Sequence, residues 1–136
     1  MSYELTLDPK DDFLWVMASG TRSINTVLAI INEIIPACRE HNLSIVLIDV
    51  RGLDGRLSTI NTFTLATRHF PKLRELKVIT KAAIIDLMEY ELNYRFLETL
   101  TRKGGFKLRV FSDHKAAVDW LTNNPKFSTS KVEKNI

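Results

Sequence analysis

The chain has little of what marks a secreted, metal-bound or membrane protein. Cys38 is the single cysteine in 136 residues. That excludes an intrachain disulfide and a cysteine-built zinc site, and it fits a reducing compartment such as the cytoplasm. No run of about 18 apolar residues occurs, so no membrane-spanning helix is expected. The opening MSYELTLDPKDD lacks a basic start and an apolar core, which argues against a secretory signal. Enzyme signatures are missing too: there is no GxSxG, no GxxxxGK[ST], no GxGxxG and no HExxH. His41, His69 and His114 fall on three different elements, each near a helix end, and read as surface or capping groups. The sequence therefore predicts no cofactor, no metal and no catalytic residue. Basic residues form no dense run, and the only aromatics beside them, Phe70 and Phe106, read as core. Nucleic acid is not an expected partner.

What is present fits one soluble domain. At this length a chain buries roughly two thirds of its unfolded surface, enough for a core without staples. The composition, 45% hydrophobic and 26% charged, is ordinary. Charge is uneven. Residues 1–67 carry 5 basic and 8 acidic groups, net −3, whereas residues 68–136 carry 14 and 8, net +6.

The organising stretch is Leu43 to Gly55, LSIVLIDVRGLDG. Ile45 to Val50 is a short, β-branched, nearly unbroken apolar run, as expected of a strand covered on both faces. Asp49, Arg51, Asp54, Arg56 and Ser58 crowd its carboxyl end, where open α/β sheets tend to place ligands.

Around it the elements alternate. Tyr3–Leu7 and Phe13–Ala18 read as a hairpin across the turn-rich DPKDD. Ser23 caps a helix reaching about His41, with Ile24, Val27, Leu28, Ile31, Ile34, Ile35 and Cys38 on one face. Pro36 should bend or restart it. A second helix is expected from Ser58 or Thr59, burying Ile60, Phe63, Thr67 and Phe70 and stopping at Pro71. Lys77–Ile85 reads as a strand. Asp86 caps a helix from about Leu87 to Lys103. Lys107–Phe111 is the last strand and His114–Asn123 the last helix. The predicted fold is α/β: a single-domain, mixed, largely parallel five-stranded sheet with about four helices, in the order β-β-α-β-α-β-α-β-α. It occupies residues 1–124, with 125–136 as a polar tail expected to fray.

With this order, FLWVMASG, SINTVLAIINEIIPACREHN, LSIVLIDVRGLDG and KLRVFSDHKAAVDWL, the chain resembles the STAS superfamily, and more closely its SpoIIAA-like branch of anti-sigma factor antagonist-like folds. The resemblance covers about residues 3–122. It implies a regulatory, protein-binding role. In sporulation-type members a serine after the central strand is phosphorylated at a helix N-terminus. Asp49 and Gly52 match that pattern, and Ser58 falls at about the acceptor position. Leu57 before it and Thr59-Ile60 after it replace the acidic and small neighbours of the family pattern. Ser58 therefore reads first as an N-cap and second as a phospho-acceptor.

The leading expectation is a non-catalytic module that binds a protein partner between Asp49 and Thr62, through Asp49, Arg51, Asp54, Arg56, Ser58 and Thr59. The alternative is a carrier of a small apolar or lipid-like ligand. It would sit in a pocket of about 300–1,000 Å³ between sheet and third helix, lined by Tyr90, Tyr94 and Phe96. An anion- or RNA-contacting accessory protein is the weakest reading. Homodimerisation is compatible with the sequence, though no visible stripe supports it.

Overall fold

The computed structural model describes residues 3–87, 95, 97–99, 101–102 and 107–122. Its elements are β1 (Tyr3–Pro9), β2 (Leu14–Thr21), α1 (Ile24–His41), β3 (Ile45–Asp54), α2 (Thr59–Thr64), a π-helical turn (Leu65–His69), α3 (Phe70–Leu76), β4 (Lys81–Ile85), β5 (Lys107–Phe111) and α4 (His114–Thr122). Residues 95, 97–99, 101 and 102 are also helical. The expected tail, and the candidate pocket residues Tyr90, Tyr94 and Phe96, lie outside the described residues.

The five strands form one sheet in sequence order. β1 is antiparallel to β2, and every later pair is parallel. β3 is therefore the middle strand. Its alternating side chains feed two cores, because successive residues on a strand face opposite sides. Val46 and Val50 join Ile30, Ile34 and Cys38 of α1, Phe70 and Leu73 of α3, and Leu97 on one face. Leu47 joins Ala83, Ile85, Ala117 and Leu121 on the other, under α4. Each buried Val, Leu, Ile or Phe among them contributes about 1.5–3 kcal/mol relative to exposure.

Local chemistry sets the ends. Ser23 Oγ accepts from the Thr26 amide at 3.1 Å and starts α1. Asn42 ends it in the left-handed region at φ 56°. The helix continues past Pro36 without restarting, and Pro36 is exposed. Asp113 Oδ2 accepts from the Ala116 amide at 2.8 Å and starts α4. At its other end, Lys81 Nζ donates to the carbonyls of Trp120 and Leu121, at 2.8 and 3.2 Å.

Three boundaries depart from the pattern. β3 runs to Asp54, so Arg51 and Asp54 belong to the strand and the exit loop begins at Gly55. Opposite Met17 to Ser19, β3 places Asp49 to Gly52, one residue more. This bulge resets the alternation and turns Leu53 into the core. Pro71 does not stop the second helix. Proline has no amide donor and its ring would press on the Thr67 carbonyl in a regular ladder. The turn widens instead, with the Phe70 amide bonding to the Leu65 carbonyl five residues back, and α3 proceeds with Pro71 in its first turn. β4 begins at Lys81, not Lys77, because Lys77 takes the left-handed φ of 58° that ends α3.

Candidate functional site

The predicted site residues run from β3 through its exit loop to the start of α2. Asp49 and Arg51 point to the α4 side. Arg51 Nη2 and Nε donate to the Asp49 carboxylate at 2.7 and 3.0 Å, and the Arg51 amide bonds to it at 3.1 Å. Partial burial pushes the Asp49 pKa up. Arg51, through its hydrogen bonds and charge, and His114 outweigh this and leave Asp49 below its ordinary value. The pair is a closed local fork rather than a carboxylate free for chemistry.

Asp54 ends the strand, Arg56, Ser58 and Thr59 follow it, and all four are exposed. Ser58 is the N-cap: its Oγ accepts from the Asn61 amide at 3.0 Å. Its carbonyl accepts from the Thr62 amide and the Thr62 hydroxyl, each at 2.9 Å. Thr62 is thereby buried while Ile60 and Phe63 turn outward.

That is a correction to the expected helix face. Thr62, Leu65, Ala66, Phe70 and Leu73 are buried, whereas Ile60 is 77% and Phe63 50% exposed. Thr67 is exposed as well. The buried residues keep helical spacing, but from Thr62, where the Ser58 cap seats the first turn, and not from Ile60. Three residues apart, Ile60 and Phe63 share one outward stripe.

Arg22 was missed by sequence reasoning, and Asp86 was assigned too small a role. Asp86 Oδ1 accepts from the Leu87 amide at 2.7 Å, and the start of the helix it was expected to cap lies outside the described residues. Its carboxylate is also buried against Arg22, with Arg22 Nη1 2.9 Å from Asp86 Oδ2. Arg22 further donates to the carbonyls of Gly55, Val50 and Leu53. A lone arginine between Thr21 and Ser23 gives no signal in sequence; only the sheet brings residues 22, 53 and 86 together.

Basic side chains of the second half of the chain gather in two places. Lys81 and Lys107 are register partners at the start of β4 and β5. Lys81 also lies 4.4 Å from the Trp120 ring. Arg68, Lys72, Arg74 and Lys77 lie along the π turn, α3 and its cap.

Beneath α1, α3 and Leu97 lies a cavity of about 110 Å³, lined by apolar side chains such as Ile31, Ile34, Ile48, Phe70 and Leu97, with Arg22 at its margin. It is smaller than the expected 300–1,000 Å³ of ligand pockets. Its size is nearer that of cavities that hold one benzene ring. Among the described residues, no group of three or more His, Cys, Asp or Glu side chains could hold a metal ion. No described helix is long and apolar enough to cross a membrane.

No protein-family model matches the sequence, and no curated protein matches it. Among solved structures, the chain is similar to an uncharacterized protein from the DUF3478 family with a SpoIIAA-like fold, from Shewanella loihica PV-4. The two share 20% identity over 88% of this chain and 93% of that one, with a TM-score of 0.53. The fold is SpoIIAA-like.

Proposed function

We propose that the chain is a non-catalytic interaction module that holds a protein partner through the surface after the central strand, from Asp54 to Phe63. The observation that carries this is the outward pair Ile60 and Phe63, at 77% and 50% exposure, set beside the polar groups of Asp54, Arg56 and Ser58. Large apolar side chains rimmed by polar ones mark interaction surfaces. The cap chemistry holds that pair outward on a fixed turn, which lowers the ordering cost of binding. Ser58 stands at the entry of this surface, where a phosphate would add charge to the contact.

The test is affinity capture with an Ile60→Asp/Phe63→Asp variant against an Asp119→Ala control on exposed α4, with circular dichroism confirming both folds. Proteins held by the control and lost by the double variant are expected. Equal capture by both would defeat the reading.

The apolar cavity favours a second reading, the binding of a small apolar molecule of about one ring or a short alkyl chain. Benzene should raise the melting temperature of the natural chain. It should not do so for Ala82→Ile, which adds bulk at the cavity wall. No benzene effect on the natural chain would remove this reading.

A further inference from the structure

The outward stripe does not end at Phe63. Exposed residues continue along the same side of the helix as Thr67, Arg68, Lys72 and Leu76, with Arg74 and Lys77 exposed nearby. Its first half is apolar. Its second half carries Arg68, Lys72, Arg74 and Lys77 against Glu75 alone among residues 66–77. Among the described residues none of these four cations forms an ion pair.

We infer that the partner presents an acidic peptide segment: one or two apolar anchors that seat on Ile60 and Phe63, followed by carboxylates that run along Arg68, Lys72 and Arg74. This rests on the proposed interaction surface and specifies its occupant. Three observations select that chemistry. Among the described residues no carboxylate pairs with these cations, so an anion gains attraction without first breaking an ion pair. Along the helix axis the apolar pair Ile60 and Phe63 comes first, and the cations follow with exposed Leu76 among them. An interfacial membrane helix would instead separate them across its girth, apolar face inward and cations on the polar face. The stripe from residue 60 to 77 is roughly 25 Å long at the helical rise, a span covered by roughly eight extended residues.

The test is display selection of a random 16-residue peptide library on the immobilised chain, followed by titration of the enriched peptides. Enriched sequences should carry an excess of Asp and Glu beside an apolar anchor. Their affinity should fall about tenfold or more between 0.05 and 0.5 M salt, where screening of exposed charges becomes strong. It should fall similarly on Arg68→Glu/Lys72→Glu/Arg74→Glu, whose sites are exposed and leave the core intact. Enriched peptides without an acidic excess, or acidic ones indifferent to salt and to the charge reversal, would overturn the inference. So would an empty selection, or binding only to vesicles containing 30 mol% phosphatidylserine. Enrichment of the same peptides on Ile60→Asp/Phe63→Asp would instead defeat the interaction surface itself.

Discussion

Arg22 and Asp86 are 64 residues apart in sequence and form an ion pair whose side chains are 7% and 0% exposed. The pair joins the end of β2 to the end of β4. Through the carbonyls of Val50, Leu53 and Gly55, Arg22 also secures the end of β3 between them. Removing one partner of a buried pair leaves an uncompensated charge, and Asp86→Ala should cost roughly 3–5 kcal/mol of unfolding free energy. Urea denaturation measures it. A loss under about 1 kcal/mol would show that the pair is replaceable.

Gly52 sits against Ser19 in the β2–β3 ladder. An added Cβ would stand 2.9 Å from Ser19 Cβ and 3.0 Å from the Ala18 carbonyl oxygen. Both neighbours belong to a strand and cannot swing away. Gly52→Ala should therefore destabilise by about 1–3 kcal/mol, the usual range for overpacking. An unchanged urea midpoint would contradict this.

Cys38 lies on the buried face of α1 at 1% exposure, and burial pushes its thiol pKa up to about 11. The thiolate is the reactive form. The native chain at pH 8 should scarcely react with Ellman's reagent, and denaturant should release one equivalent within the mixing time. Prompt native reaction would show that α1 opens.

Asp49 gives a pH dependence with a definite sign. Its pKa is held below the ordinary carboxylate value in the fold, so its contribution is present at neutral pH. That contribution is lost as pH falls below the unfolded value and through the folded one. Asp49→Asn should cost roughly 0.5–1 kcal/mol at pH 7, as for a partly exposed fork. The difference from the natural chain should shrink towards pH 3. A gap that stays constant with pH would remove the carboxylate from the account.

The sequence disclosed the layering because periodicity is a property of single elements. Ile45 to Val50 announced a strand with two apolar faces, and Ile30, Ile34 and Cys38 announced one helix side. It concealed whatever depends on a second element or on a change of period. The bulge between Asp49 and Gly52 appears only opposite β2. The π turn forms because Pro71 must be absorbed inside a helix that packing prefers to extend. The side on which Ile60 and Phe63 fall depends on how the Ser58-capped turn seats against the sheet, which periodicity leaves open. Asp49 and Arg51 looked like neighbours of Ser58 in sequence, yet the strand sends their side chains to the far side of the sheet.

The layering also divides the chain's optical signals. Both tryptophans, Trp15 and Trp120, pack with the cluster beneath α4, one beside His114 and the other beneath Lys81. The apolar cavity and the outward stripe lie across the sheet from them. Intrinsic fluorescence thus follows the seating of α4 and serves as an internal reference while the opposite side is titrated. A change in emission on adding a ligand there would report motion transmitted through the strands, not contact.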